Sequence, residues 1–280
     1  MAIPEEFESR IEEIRKDRAS GAMKLALRAA TLLVQCSQSA PEAVPEAARG
    51  LLAAQPAMAP MFNLTRRVLA TADVAAACSD FLETMEREAA LVAANAAQLI
   101  EDGAAVMTHS FSSTVLEAFR EASHGGKKFS VICTESRPVC EGVALAASLG
   151  MGGISTSVIT DAAVYRFLPE ARMIWVGADS ISPHGVVNKT GTSLLALAAR
   201  EFGVPVYVLC GSDKFLPGSY EPPPEEPRDP HEIVDRDLPW VTALNYYFDL
   251  TPLKYVTGVA TDTGILRPEE LIEKLHALSD

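Results

Sequence analysis

The sequence predicts an α/β protein, with an N-terminal helical domain over residues 1–102 followed by a doubly wound parallel sheet domain over residues 103–280. Three observations lead there. Up to about residue 102, Ala-rich stretches place apolar residues at helical spacing and are separated by breaks at Pro41, Pro45, Pro56 and Pro60. From Ala104 onward, short apolar runs alternate with stretches long enough for crossover helices, which is the pattern of parallel strands. Those runs end repeatedly in Gly, Ser or Thr ahead of a helical pattern, and the carboxyl ends of strands are where open α/β sheets bind ligands.

In order along the chain, Ser20–Gln38 reads as a helix and Asp73–Ile100 as a longer one, with Asp73 as its N-cap. Asp80, Glu83, Glu86, Arg87 and Glu88 are expected on its outer face, and Val74, Leu82, Met85 and Leu91 on its inner face. The expected strands are Ala104–Thr108, Phe129–Thr134, Ser155–Ile159, Met173–Val176 and Val206–Cys210. Pro217–Pro230, rich in Pro, Glu and Asp, is expected to be a solvated loop that could serve as a lid or a subunit contact. Arg267–Leu278 closes the chain as a short helix opened by Pro268, acidic at its start as the helix dipole favours.

Composition removes several functions. The 280 residues are 48% hydrophobic, enough for one large core or two modest ones. With 24 Lys plus Arg against 37 Asp plus Glu, the net charge is -13, and no basic run could track a phosphate backbone, so no direct nucleic-acid contact is expected. Charges interrupt the apolar stretches well short of the roughly 20 residues that a bilayer requires, and the start, MAIPEEFESR, is acidic; no membrane segment and a cytoplasmic location are expected. Cys36, Cys78, Cys133, Cys140 and Cys210 form no CxxC pair and read as reduced, buried thiols. His109, His124, His184, His231 and His276 never fall three to five apart, so neither metal nor cofactor is expected.

Four motifs carry the chemistry: THS at Thr108–Ser110, ESRP at Glu135–Pro138, VGAD at Val176–Asp179 and NKTGT at Asn188–Thr192. In the last, Asn188, Lys189 and the Thr190–Gly191–Thr192 turn precede a helix, so amides, a lysine and hydroxyls could face one anion; an ordinary capped helix reads equally well. Asp179 could act as a general acid or base, or cap a turn. Arg137, held extended by Pro138, could grip a phosphate or pair with Glu135 or Glu141. Ser110 lies in a Ser-rich stretch that could face substrate or cap a helix, and no GxSxG run surrounds it.

Together these motifs resemble one superfamily: the alpha, beta and delta subunits of eukaryotic translation initiation factor 2B, their archaeal and bacterial relatives, methylthioribose 1-phosphate isomerase and ribose 1,5-bisphosphate isomerase. The resemblance runs from Ser20 to Pro268 and includes SVITDAAV at Ser157–Val164, LALAAREFGVPVYV at Leu195–Val208, NYYFDLTP at Asn245–Pro252 and TGILRP at Thr263–Pro268. It implies a helical N-terminal domain on a Rossmann-like C-terminal domain and dimerisation through the latter. It also implies a pocket for a phosphorylated sugar or nucleoside monophosphate.

Residue by residue, Asp179 aligns with the isomerases' catalytic aspartate, Asn188 and Lys189 with their substrate-binding Asn-Lys pair, and Arg137 with their ETRP-like run. Ser110 stands where they carry the catalytic cysteine, and Glu141 where they carry a glutamine. Their Arg-Gly-Ala phosphate loop is echoed by Arg18–Ala22, which makes Ser20, Gly21 and Ala22 ligand-binding candidates. Serine is far less acidic than cysteine and weakens any mechanism that uses the thiol as a proton relay. With the QPAMAPMFNL segment at Gln55–Leu64, this favours a regulatory initiation factor 2B-like protein that binds its ligand. The alternative is an aldose–ketose isomerase of a ribose-phosphate-like substrate, working through Asp179 with Ser110 or a water in place of the thiol.

Overall fold

The computed structural model describes residues 3–17 and 20–278 of the chain. Helices α1 (Glu5–Lys16), α2 (Ala22–Ser39), α3 (Val44–Ala54), α4 (Ala59–Leu69) and α5 (Val74–Ala97) come first. The prolines that break the helical pattern mark helix beginnings: Pro45 and Pro60 lie in the first turns of α3 and α4, where a missing N–H costs nothing. Apolar side chains of these helices, among them Phe7, Leu25, Leu33, Leu51 and Phe81, form one core.

Helix α5 joins that core to the next. Asp73 caps it by accepting the Ala76 amide at 3.0 Å. Its buried stripe runs Val74, Cys78, Phe81, Met85, Glu88, Val92 and Ala96, in steps of four or three. The first half packs among the N-terminal helices, and Val92, Ala93, Ala96 and Ala97 pack on the sheet. Two expectations are corrected here. Glu88 belongs to this stripe and is only 8% exposed, whereas Leu91 falls off it and is 45% exposed.

The remaining elements are β1 (Ala105–Thr108), α6 (Ser113–His124), β2 (Ser130–Thr134), α7 (Glu141–Met151), β3 (Ser155–Ile159), α8 (Val164–Phe167), β4 (Met173–Val176), β5 (Ser180–Ser182), β6 (Gly185–Lys189), α9 (Thr192–Phe202), β7 (Val206–Leu209), β8 (Phe248–Thr251), β9 (Gly258–Thr261), β10 (Gly264–Leu266) and α10 (Pro268–His276). The five strands expected from the sequence are present to within one residue at each end. The main sheet has the order β10-β9-β7-β4-β1-β2-β3 and is parallel except for β10. Strand order therefore reverses between β1 and β4, and the carboxyl ends of these two strands flank the switch point at which doubly wound sheets bind ligands.

Alternate side chains serve opposite faces of the sheet. Val106, Val131, Cys133 and Trp175 pack toward α5, α6 and α7, with the Trp175 ring 4.8 Å from that of Phe119. Met107, Ile132, Ile174 and Val176 pack toward α9 and α10. A second sheet, β5-β6-β8, is antiparallel. It places Asn188 and Lys189 at the end of a strand, directly ahead of the Thr190–Thr192 turn, where the sequence indicated no strand. Asn188 lies opposite Asp249 and Lys189 opposite Phe248, pairings that depend on residues about sixty positions later.

Candidate functional site

A cleft of about 860 Å³ lies at the switch point, between the sheet and the N-terminal helices. That volume is ample for a small-molecule ligand. Of the expected site residues, Ser20, Gly21, Ala22, Ser110, Glu141, Asp179, Asn188 and Lys189 line it. Arg18, from the same N-terminal stretch, lies outside the described residues.

Ser110 and Asp179 approach it from the two strands that flank the switch. Ser110 follows β1 in a left-handed conformation (φ 69°), fixed by its amide donating to Ser136 Oγ at 2.7 Å. Its hydroxyl donates to Glu141 Oε1 at 3.1 Å. The same oxygen lies 2.7 Å from the Lys189 ammonium, which also sits 4.3 Å from the centre of the Tyr247 ring. Glu141 begins α7, and its partner Lys189 is only 7% exposed. Glu141 Oε2 is buried without a hydrogen-bond partner.

Asp179 follows β4 and is fastened through its backbone, its amide donating to the Val187 carbonyl and its carbonyl accepting from the Ala59 amide, at 2.9 and 3.0 Å. One residue thus ties β6 to the start of α4. Burial pushes its carboxyl up to about 6, with Glu141 and Glu225 acting in the same direction and Lys214 and Lys189 opposing them. A carboxyl with that value can exchange a proton near neutral pH.

Arg137, Thr190, Gly191 and Thr192 do not line the cleft. Arg137 is exposed, and its guanidinium donates to the Glu232 carbonyl at 2.8 Å. Thr190 donates its hydroxyl to the Tyr246 carbonyl, and Thr192 donates to the Lys189 carbonyl while accepting from the Asn188 amide nitrogen. The amides of Gly191 and Ser193, which the sequence offered to an anion, donate to the Asp249 carboxylate. The chain's own carboxylate is the anion at the start of α9. His109 braces this turn: its Nε2 donates to the Thr190 carbonyl at 2.9 Å, Nδ1 lies 2.6 Å from Thr134 Oγ1, and burial lowers its pKa.

The start of α2 differs from that of α9. Its N-cap is Gly21, extended and without a side chain to cap the first turn, the Ser20 amide before it donates to Asp17 Oδ1 at 2.9 Å, and Asp17, Ser20, Gly21, Ala22 and Met23 all line the cleft. Sequence reasoning missed Lys214, Arg228 and Tyr247, which line the cleft as well. Lys214 had a signal: Gly211-Ser-Asp-Lys214 follows β7 in the same way that the other motifs follow their strands. Arg228 and Tyr247 had none, since the Pro-rich loop and the strand pairing that bring them in are not local features.

Among the described residues no group of His, Cys, Asp and Glu is arranged to hold a metal ion, and no helix is long and apolar enough to cross a membrane.

A doubly wound sheet with a cleft at its switch point, walled on its other side by helices, defines an α/β protein. The chain belongs to the initiation factor 2 subunit family, whose model matches residues 18–268. It is 39% identical to a translation initiation factor eIF-2B subunit 2-like protein of Pyrococcus horikoshii, over 97% of this chain and 100% of that protein. It is 32% identical to the ribose 1,5-bisphosphate isomerase of Archaeoglobus fulgidus, over 95% of this chain and 91% of that enzyme. The crystal structure of a Pyrococcus horikoshii translation initiation factor eIF-2B superposes with a TM-score of 0.87 at 37% identity, covering 96% of this chain and 100% of that one.

Proposed function

We propose that this protein is an initiation factor 2B-related regulatory subunit that binds a phosphorylated sugar or nucleoside monophosphate in the switch-point cleft and releases it unchanged. The observation that carries this reading is the pairing of the helix start at Gly21–Met23, whose N-cap has no side chain, with a polar floor of Ser110, Glu141, Asp179, Asn188 and Lys189 across one cleft. Backbone amides at the start of α2 suit a phosphate, and the floor suits sugar hydroxyls. Lys214 and Arg228 also line the cleft, each beside a carboxylate of the chain, Asp213 and Glu225.

The reading of binding without turnover rests on Ser110. Its hydroxyl is committed to Glu141 and cannot supply a proton as a thiol would. Isomerisation is the second reading, favoured by Asp179, whose carboxyl titrates at about 6 within the cleft.

We further take the protein to be a cytoplasmic homodimer or higher oligomer. Exposed apolar side chains at Leu194, Leu197, Leu244 and Leu250, with Trp240 and Val241 on the preceding loop, support a contact through the sheet domain.

The test incubates the purified chain with ribose 5-phosphate, ribose 1,5-bisphosphate, methylthioribose 1-phosphate and nucleoside monophosphates, following thermal shift and ketose formation together. Stabilisation without ketose is expected. Ketose formation that disappears in Asp179→Asn would establish the isomerase instead, and the absence of any shift would remove the ligand site altogether.

A further inference from the structure

We propose that Glu141 is the specificity-determining residue of the cleft, restricting it to sugars that carry a single phosphate and present a hydroxyl, not a second phosphate, to Lys189. This rests on the sugar-phosphate reading above and narrows it to one substrate class.

Besides Arg120, three cations among the described residues line the cleft, and each has an internal carboxylate partner: Lys189 with Glu141 at 2.7 Å, Arg228 with Glu225 at 3.2 Å and Lys214 with Asp213 at 3.5 Å. Asp179 adds a fourth carboxylate. Among these groups acids outnumber bases four to three before any ligand enters, and a phosphate dianion placed there adds to that excess.

Glu141 is the member of this set that a ligand would have to displace to reach Lys189. Its Oε1 takes both the Ser110 hydroxyl and the Lys189 ammonium, which is what one oxygen of a bound phosphate would do. Its Oε2 is buried without a partner, so the charge is not dispersed over further donors. A second phosphate beside it would place like charges side by side in a partly desolvated cleft, where repulsion is several times stronger than in water. A hydroxyl can instead donate to the carboxylate and accept from Lys189 at no such cost. Repulsion of this kind is how a site rejects a close relative of its ligand.

The experiment measures equilibrium binding of ribose 5-phosphate and ribose 1,5-bisphosphate to the full chain by calorimetry, in the native protein and in Glu141→Gln, which keeps the shape and removes the charge. The native protein is expected to bind the monophosphate at least tenfold more tightly, and Glu141→Gln to reduce that ratio at least tenfold. Glu141→Ala repeats the comparison if the glutamine variant does not fold. A native preference for the bisphosphate, or a ratio that neither variant changes, overturns the role of Glu141 and leaves the ligand site intact. If neither sugar binds the native protein, the sugar-phosphate reading falls and this inference falls with it.

Discussion

The Asp249 carboxylate accepts the Gly191 amide at 2.7 Å across 58 residues of sequence, so a strand late in the chain caps the helix that follows the NKTGT motif. It also receives the amide and hydroxyl of Ser193. Removing it leaves these donors without an acceptor. Asp249→Ala is expected to cost about 1–2 kcal/mol, the worth of a helix N-cap, and Asp249→Asn distinctly less. Urea denaturation of the two variants checks this; equal losses would mean that the carboxylate's charge, and not its role as acceptor, matters.

Asp179 makes stability depend on pH. Its folded pKa of about 6 lies above the unfolded value near 3.9, so the folded state holds its proton more tightly. The stability from this group is full below the unfolded value and is lost as pH rises through 6, a change of at most about 3 kcal/mol. Asp179→Asn is expected to be more stable than the native protein at pH 8 and to lose that advantage on titration toward pH 4. Denaturation curves at several pH values decide it, and an advantage independent of pH would contradict the assignment.

Glu88 ties the middle of α5 to the loop after β7, accepting the Ser212 amide at 2.9 Å and its hydroxyl at 2.7 Å. Burial raises its pKa, with Asp262 and Asp213 adding to the effect and the Ser212 bonds opposing it. Glu88→Ala leaves the Ser212 amide short of its acceptor and is expected to cost about 1–3 kcal/mol; Glu88→Gln keeps an acceptor and costs less. Chemical denaturation of both variants gives the comparison.

Gly142 permits α7 to lie against β2. A Cβ there would stand 1.9 Å from the Thr134 carbonyl oxygen, which is backbone and cannot yield without moving the strand. Gly142→Ala is expected to cost at least about 1–3 kcal/mol and to displace the adjacent Glu141. Calorimetric unfolding together with ligand binding tests both effects, since native stability in the variant would show that the helix has room to move.

Much of the scaffold was legible locally. The five main parallel strands are short apolar runs whose ends appear in the sequence, Asp73 is a cap recognisable from its position, and Pro268 opens the last helix as expected. Glu88 and Leu91 were misassigned because a charge is expected outside and a leucine inside, while the register of α5 against two cores decides otherwise. The small sheet was not legible, because its strands are three to five residues long and pair with partners as distant as β8. For the same reason Arg137 and the Thr190–Thr192 turn read as anion ligands: their motif composition is right, and only the fold supplies Glu232 and Asp249 as their partners.

By itself the sequence determined the class of fold, the order of its elements and the identity of the residues at the strand ends, because hydrophobic period, caps and prolines act over a few residues. Tertiary structure alone decided which of those residues share a cleft. Ser110, Glu141, Asp179 and Lys189 meet there because strand order reverses between β1 and β4 and an antiparallel strand carries Lys189 inward. Asp249 reaches the start of α9, and its charge fills the anion site that the motif alone would have left open. The physical reason is that charge pairing depends on distance in space, and the sequence specifies that distance only through the whole fold.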